Sequence, residues 1–227
     1  MPASPAMALT AELIARVARI EPDAGFPPGA AYQTDADYDD MVDRLFAQHR
    51  PRDLWVFAYG SLIWKPEIPH TAEATATAHG WHRAFCLRQT RFRGTPDQPG
   101  LMMALDRGGQ CKGMLYTLPP DDLPAQLDRL FRREFTVKPI TNMPRWIKVA
   151  SEGQTCPALA FIINRASANY ARRLTPEAVA DILSKACGPI GSGAEYLFHT
   201  VAHLEAKGIH DTHLWHLQRL VADRIAL

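Results

Sequence analysis

Apolar residues change their spacing several times along this chain, and each change marks an element. Over residues 8–20, Leu13, Ile14, Val17 and Ile20 fall on one stripe, which predicts a helix. Residues 21–31, EPDAGFPPGAA, break the stripe with proline and glycine and read as a linker. Tyr38, Met41, Val42, Leu45 and Phe46 then recur at helical spacing and predict a second helix. Residues 1–50 therefore read as a helical N-terminal extension, and residues 51–227 as the main domain.

From 54 to 118 strand patterns dominate. The first strand is expected over 54–58 and at least one more over 73–87, with Gly80 a bend. Residues 101–106 and 111–118 flank Arg107-Gly108-Gly109-Gln110, which reads as a hairpin connection. Leu123, Leu127, Leu130 and Phe131 then restore helical spacing. Two further strands, 145–150 and 156–163, are joined around Glu152-Gly153-Gln154. The last part is helical. Thr175-Pro176-Glu177 offers an N-cap, a proline at the first position and an acid in the first turn, with a stop at Gly188-Pro189. Ser192 to Glu195 form a capping box, Gly208 closes the helix it opens, and Asp211 caps a final helix. This order predicts an α+β protein with a mixed or antiparallel sheet and helices around it.

Composition narrows the function. The chain has 227 residues, 47% hydrophobic and 22% charged, with a formal net charge of +1. No global field points to nucleic acid or an anionic membrane. Arg83, Arg88, Arg91, Arg93, Arg132 and Arg133 are locally basic, with Trp81, Phe85 and Phe92 interleaved. Without a nucleic-acid-binding motif, they read as a solvated cationic face. The N-terminus has no basic stretch before its apolar residues, so it does not read as a signal peptide. The longest uncharged apolar run, 156–163, is too short to cross a bilayer. Cys86, Cys111, Cys156 and Cys187 lack C-x-x-C spacing, which fits a reducing, cytoplasmic setting.

His199 and His203 stand at i, i+4, but Thr-Val-Ala lies between them and the H-E-x-x-H base is missing. They read as a solvated helix flank, and no metal site is expected. No dinucleotide, P-loop or nucleophile-elbow motif is present. Two features remain. Tyr59-Gly60-Ser61-Leu62 ends a buried strand on a glycine, whose expected positive φ would let a ligand approach the backbone; on motif grounds alone a plain turn is the favoured reading. Glu134 ends an amphipathic helix, where a carboxylate opposes the helix dipole; an arginine–glutamate surface cluster explains it as well.

Longer stretches resemble one family. VFAYGSLIWKP at 56–66, GWHRAFCL at 80–87, RGTPDQPGLMMALDRGGQCKGMLY at 93–116 and the segment 169–211 around GPIGSGAEYLF are together similar to the γ-glutamylcyclotransferases of the ChaC branch. The resemblance spans roughly residues 52–213. It implies a barrel-like mixed sheet surrounded by helices. It also implies a small-molecule substrate, glutathione or another γ-glutamyl compound, bound at Tyr59, Gly60, Ser61 and Leu62. Glu134 would be the catalytic acid–base group, and Tyr170 would donate a hydrogen bond to substrate. Ring closure of the substrate's own γ-glutamyl arm would need no metal or organic cofactor. A non-enzymatic regulator on the same fold is the alternative. Two segments depart from the pattern. The family follows its glutamate with Gly-Gly-Tyr where this chain has Phe135-Thr136-Val137-Lys138-Pro139, and residues before 50 have no counterpart in its compact members. Residues 94–100 read as a lid or as an inert connection.

Overall fold

The computed structural model describes residues 6–227. Residues 1–5, where the expected extension starts, lie outside the described residues. In chain order the elements are α1 (Ala11–Val17), β1 (Ala31–Tyr32), α2 (Asp35–Gln48), β2 (Trp55–Ala58), α3 (Ser61–Trp64), β3 (Ala72–Gln89), β4 (Gly100–Thr117), α4 (Leu123–Glu134), β5 (Val137–Lys138), β6 (Asn142–Ser151), β7 (Gln154–Ile163), α5 (Pro176–Leu183), β8 (Cys187–Gly188), β9 (Gly191–Ser192), α6 (Gly193–Ala206) and α7 (Thr212–Ala226). The α+β class stands.

By packing, the chain divides into two compact units. One holds Pro28–Ala84 and Ala104–Ser167; the other holds the described residues up to Pro27 with Phe85–Met103 and Ala168–Leu227.

The first unit is built on a closed five-strand barrel, in the order β2-β4-β3-β6-β7. β2 runs antiparallel to β4 from Trp55↔Thr117 to Ala58↔Met114, and meets β7 in parallel at Val56↔Leu159. Closure removes the open edges on which other chains could add a strand. β6 and β7 form a hairpin from Asn142↔Ile163 to Ser151↔Gln154. Its two turn residues, Glu152 at φ 49° and Gly153 at φ 78°, both have positive φ, the type I′ arrangement whose twist matches the flanking strands. Residues 158–163 of β7 are all buried, which explains their unbroken apolar run.

Arg107-Gly108-Gly109-Gln110 is not the expected hairpin. It lies inside β4, which stays one strand from Gly100 to Thr117. Gly108 (φ 109°) and Gly109 (φ 65°) kink it without turning it back, and His82 Nδ1 donates to the Gly108 carbonyl at 3.0 Å. The arginines also differ from expectation. Arg83 is buried, its guanidinium donating to the Lys112 carbonyl. In the second unit Arg93 is buried and donates to the Ser192 carbonyl at 2.8 Å and to Glu195 Oε2 at 2.7 Å.

In the second unit α1, α5, α6 and α7 pack on one another. Thr10 caps α1, but Ala18 is already extended and Ile20 is fully exposed. No residue of α1 is buried, so burial does not reward the longer helix its stripe predicts. The attachment lies just before it: buried Leu9 donates its N–H to buried Gln218 Oε1 at 2.8 Å. α5 stops at Leu183, short of Gly188-Pro189, because Cys187 and Gly188 pair with Ser192 and Gly191 instead. Ser192 caps α6 by accepting the Glu195 N–H at 3.1 Å, while the Glu195 carboxylate turns to Arg93. The 94–100 loop closes tightly at its base: a Cβ on Gly94 would lie 2.2 Å from the Gly100 nitrogen. Among the described residues no helix is long and apolar enough to cross a membrane.

Candidate active site

β2 delivers Tyr59 into the protein interior. Its hydroxyl donates to the Phe161 carbonyl of β7 at 2.6 Å, so the strand exit is braced across the barrel. Gly60 follows as the residue before α3. Its φ is −142° and its ψ −126°, so it does not take the expected positive φ. Its carbonyl accepts the Ile63 N–H at 2.9 Å, and the Ser61 carbonyl accepts the Lys65 N–H at 2.7 Å. The Tyr-Gly-Ser-Leu turn is thus a strand-to-helix junction, and the first N–H groups of a helix point out of its N-terminus. Leu62 and Ile63 are buried and hold this short helix down; Ser61 is half-buried.

Glu134 is the last residue of α4. The next residue, Phe135, donates its N–H to the Phe131 carbonyl at 2.7 Å. The rings of Phe131 and Phe135 lie 5.4 Å apart, and Phe135 meets Phe161 at 5.3 Å. Only 18% of the Glu134 side chain remains exposed. Burial pushes its carboxyl above the ordinary carboxylate range. Arg133, with Nε 3.2 Å from Oε1, pulls the other way, and the Glu67 carboxylate adds to the upward push. Burial wins, because only one of the two arginines faces Glu134. Arg132 is taken by Asp128 and Asp35, each at 2.7 Å.

Arg133 does more than face Glu134. Its guanidinium donates to the Pro66 carbonyl and lies 3.5 Å from Glu67 Oε2. The end of α4 is thereby tied to the segment just after α3, in the same unit as the Tyr59–Leu62 turn. Glu67 was not singled out from the sequence, since a charged residue three places beyond α3 carries no local signal.

Tyr170 belongs to the second unit and is half-buried. It bridges antiparallel to Leu87, and flanking bonds from the Arg88 N–H to the Asn169 carbonyl and from the Ala171 N–H to the Cys86 carbonyl, both 2.8 Å, fix its backbone. The rings of His199 and His203 are 6.1 Å apart. A carbonyl only accepts, so the 2.8 Å contact with the His199 carbonyl means that His203 Nδ1 carries the proton. Among the described residues no group of three or more His, Cys, Asp or Glu is placed to hold a metal ion.

A carboxyl with raised proton affinity can accept a proton and return it within one reaction cycle. That capacity, at a helix end tied through Arg133 to the segment that follows the Tyr59–Leu62 turn, is what the first unit offers chemically.

A family model described as ChaC-like protein matches residues 54–224. Over 161 residues the chain is 39% identical to the glutathione-specific gamma-glutamylcyclotransferase of Escherichia coli (strain K12), covering 70% of this chain and 68% of that protein. It is 29% identical over 177 residues to gamma-glutamylcyclotransferase 2-3 of Arabidopsis thaliana, covering 74% and 88%. In fold it resembles the crystal structure of a glutathione-specific gamma-glutamyl cyclotransferase from yeast, with a TM-score of 0.68 at 21% identity over 76% of this chain and 97% of that one.

Proposed function

Because this chain belongs to the ChaC-like protein family, we propose that it is a glutathione-specific γ-glutamylcyclotransferase with Glu134 as its proton shuttle. In that reaction the substrate's α-amine attacks its own γ-carbonyl. One C–N bond forms and closes a five-membered ring, and the γ-glutamyl amide C–N bond breaks. The products are 5-oxoproline and Cys-Gly. Because the attack is intramolecular, holding the γ-glutamyl arm folded supplies much of the acceleration. The rest is proton traffic: the α-ammonium loses one proton before it attacks and a second as the ring nitrogen becomes a lactam, the leaving nitrogen gains both in departing as the Cys-Gly ammonium, and Glu134 accepts and returns a proton between them. The backbone N–H groups of the Gly60–Leu62 turn hold the substrate carboxylate or the developing oxyanion.

The observation that carries this reading is the setting of Glu134. Its side chain is largely shielded at the end of α4, with its proton affinity raised, and Arg133 ties it to the segment that follows the Tyr59–Leu62 turn. The four free cysteines fit a cytoplasmic, reducing site of action, where the substrate's thiol also persists. The test is to incubate the pure protein with reduced glutathione and measure 5-oxoproline and Cys-Gly. Equal release of both supports the reading. Ligand binding without turnover would favour a regulator, and turnover of other γ-glutamyl amides alone would move the substrate. The proton-transfer chemistry calls for no Lewis acid, so dialysis against EDTA is expected to leave the rate intact; a loss restored by zinc would contradict that.

A further inference from the structure

We propose that residues 31–48 form a built-in clamp that positions Glu134 by holding the four residues after it, an inference that rests on Glu134 being the proton shuttle. These residues lie outside the 54–224 family match. They meet each of residues 135–138 in turn. The buried Tyr38 of α2 donates its hydroxyl to the Phe135 carbonyl at 2.9 Å. The Gln33 N–H donates to the Thr136 carbonyl at 3.3 Å, and Gln33 Nε2 donates to the Val137 carbonyl at 3.0 Å. β1 pairs antiparallel with β5, Tyr32 opposite Val137 and Ala31 opposite Lys138. Lys138 Nζ reaches Asp37 Oδ2 at 2.6 Å.

The sequence supplies this clamp compactly. Thr34 and Asp37 form the capping box that starts α2, so the same Asp37 both fixes the helix and receives Lys138. Arg132, one turn back on α4, pairs with Asp35 and lies 4.5 Å over the Tyr38 ring. Farther along α2, the Leu45 carbonyl accepts Trp146 Nε1 of β6 at 3.1 Å, which anchors the clamp to the barrel wall. The two segments that depart from the family pattern, before residue 50 and after Glu134, are therefore bonded to each other. A short turn of glycines can hold its own shape; Phe135-Thr136-Val137-Lys138 instead depends on donors supplied from outside.

Glu134 itself is faced by Arg133 of α4 and by Glu67 beyond α3, while the clamp's charges, Asp35, Asp37, Lys138 and Arg132, are paired among themselves and with Asp128. The clamp acts on Glu134 through packing: it keeps Phe135 seated between Phe131 and Phe161, and so keeps water from the carboxyl.

The test compares Tyr38→Phe with the wild type. The ring stays and only the bond to the Phe135 carbonyl is lost. Misplacing a reacting group slows chemistry strongly, so kcat on glutathione is expected to fall about tenfold while KM stays within about twofold. The acidic limb of kcat moves to lower pH, because a looser Phe135 lets water relieve the burial that raises the carboxyl. A ¹³C carboxyl titration of Glu134 without substrate reads the same displacement independently of turnover. If the wild type fails to turn over glutathione, the functional reading falls, and the titration still decides the clamp. Val221→Ala, a buried change in α7, controls for general loss of stability. Unchanged kcat and an unchanged titration in folded Tyr38→Phe would overturn the proposal. So would an equal limb shift in a Val221→Ala protein of matched Tm.

Discussion

Glu195 at the start of α6 and Glu134 at the end of α4 each have one arginine beside them, and everything else about the two helix ends is reversed. Glu195 lies in a first turn, where the dipole favours an anion; the buried Arg93 approaches to 2.7 Å and also binds the Ser192 carbonyl. Glu134 lies in a last turn, where the dipole opposes it. Its arginine stands 3.2 Å away and is shared with Pro66 and Glu67. One carboxylate has a setting that favours its charge. The other is held where its charge is costly. A helix end that satisfies every electrostatic preference fits a structural role; one that violates them while staying well packed fits the proton shuttle proposed for Glu134.

The sharpest way to break this contrast is Glu134→Gln. The size is kept and the proton site is lost, so kcat is expected to fall by roughly 10²–10⁴, the usual worth of a general acid–base group. Stability should move in the opposite direction. A raised native pKa means the folded state gains from the protonated form at low pH and loses that gain as pH rises through the native value. The glutamine variant should therefore melt slightly higher than wild type at pH 7, with the gain gone near pH 4. A lower Tm at pH 7 would contradict the burial argument.

Arg93→Ala strikes the other helix end. It strips a charged donor from Glu195 and the Ser192 carbonyl, a loss of about 2 kcal/mol, or roughly 4–8 °C in a chain of this size. The acidic limb of the rate profile should stay in place, because Arg93 acts on folding and not on Glu134. A moved limb without a Tm loss would erase the distinction between the two carboxylates.

The smallest effects sharpen the contrast from both sides. Arg133→Gln removes the charge that lowers the Glu134 pKa, so the acidic limb should move to higher pH. Glu67→Gln removes the charge that raises it, so the limb should move to lower pH. Shifts of the same sign in both variants would mean that Glu134 is not the titrating group.

Much of this was legible in the sequence where the cause is local. The capping residues Thr175, Ser192 and Asp211 start helices because their oxygens meet N–H groups three residues on. The Glu152-Gly153 turn follows from its glycine, which takes positive φ at no steric cost. What failed was non-local. Gly108-Gly109 looks like a hairpin turn in isolation, but β3 lies alongside and the strand continues past it. Arg83 and Arg93 look solvated until Lys112, Ser192 and Glu195 arrive from far along the chain. Glu134 could be proposed from the resemblance, but its environment could not be read, because Glu67 and Phe161 are distant in sequence. The partnership of residues 31–48 with residues 135–138 left no periodic trace at all; it rests on a pair of two-residue strands and on side-chain bonds from Gln33, Asp37 and Tyr38.

The most direct test of Glu134 as a buried proton shuttle is the pH dependence of kcat/KM for 5-oxoproline release from glutathione. Glu134 must be deprotonated to accept the ammonium proton, and burial raises its pKa, so the rate should climb with pH along an acidic limb lying above the ordinary carboxylate range. A limb at the ordinary position of an exposed glutamate, or none, would contradict the account.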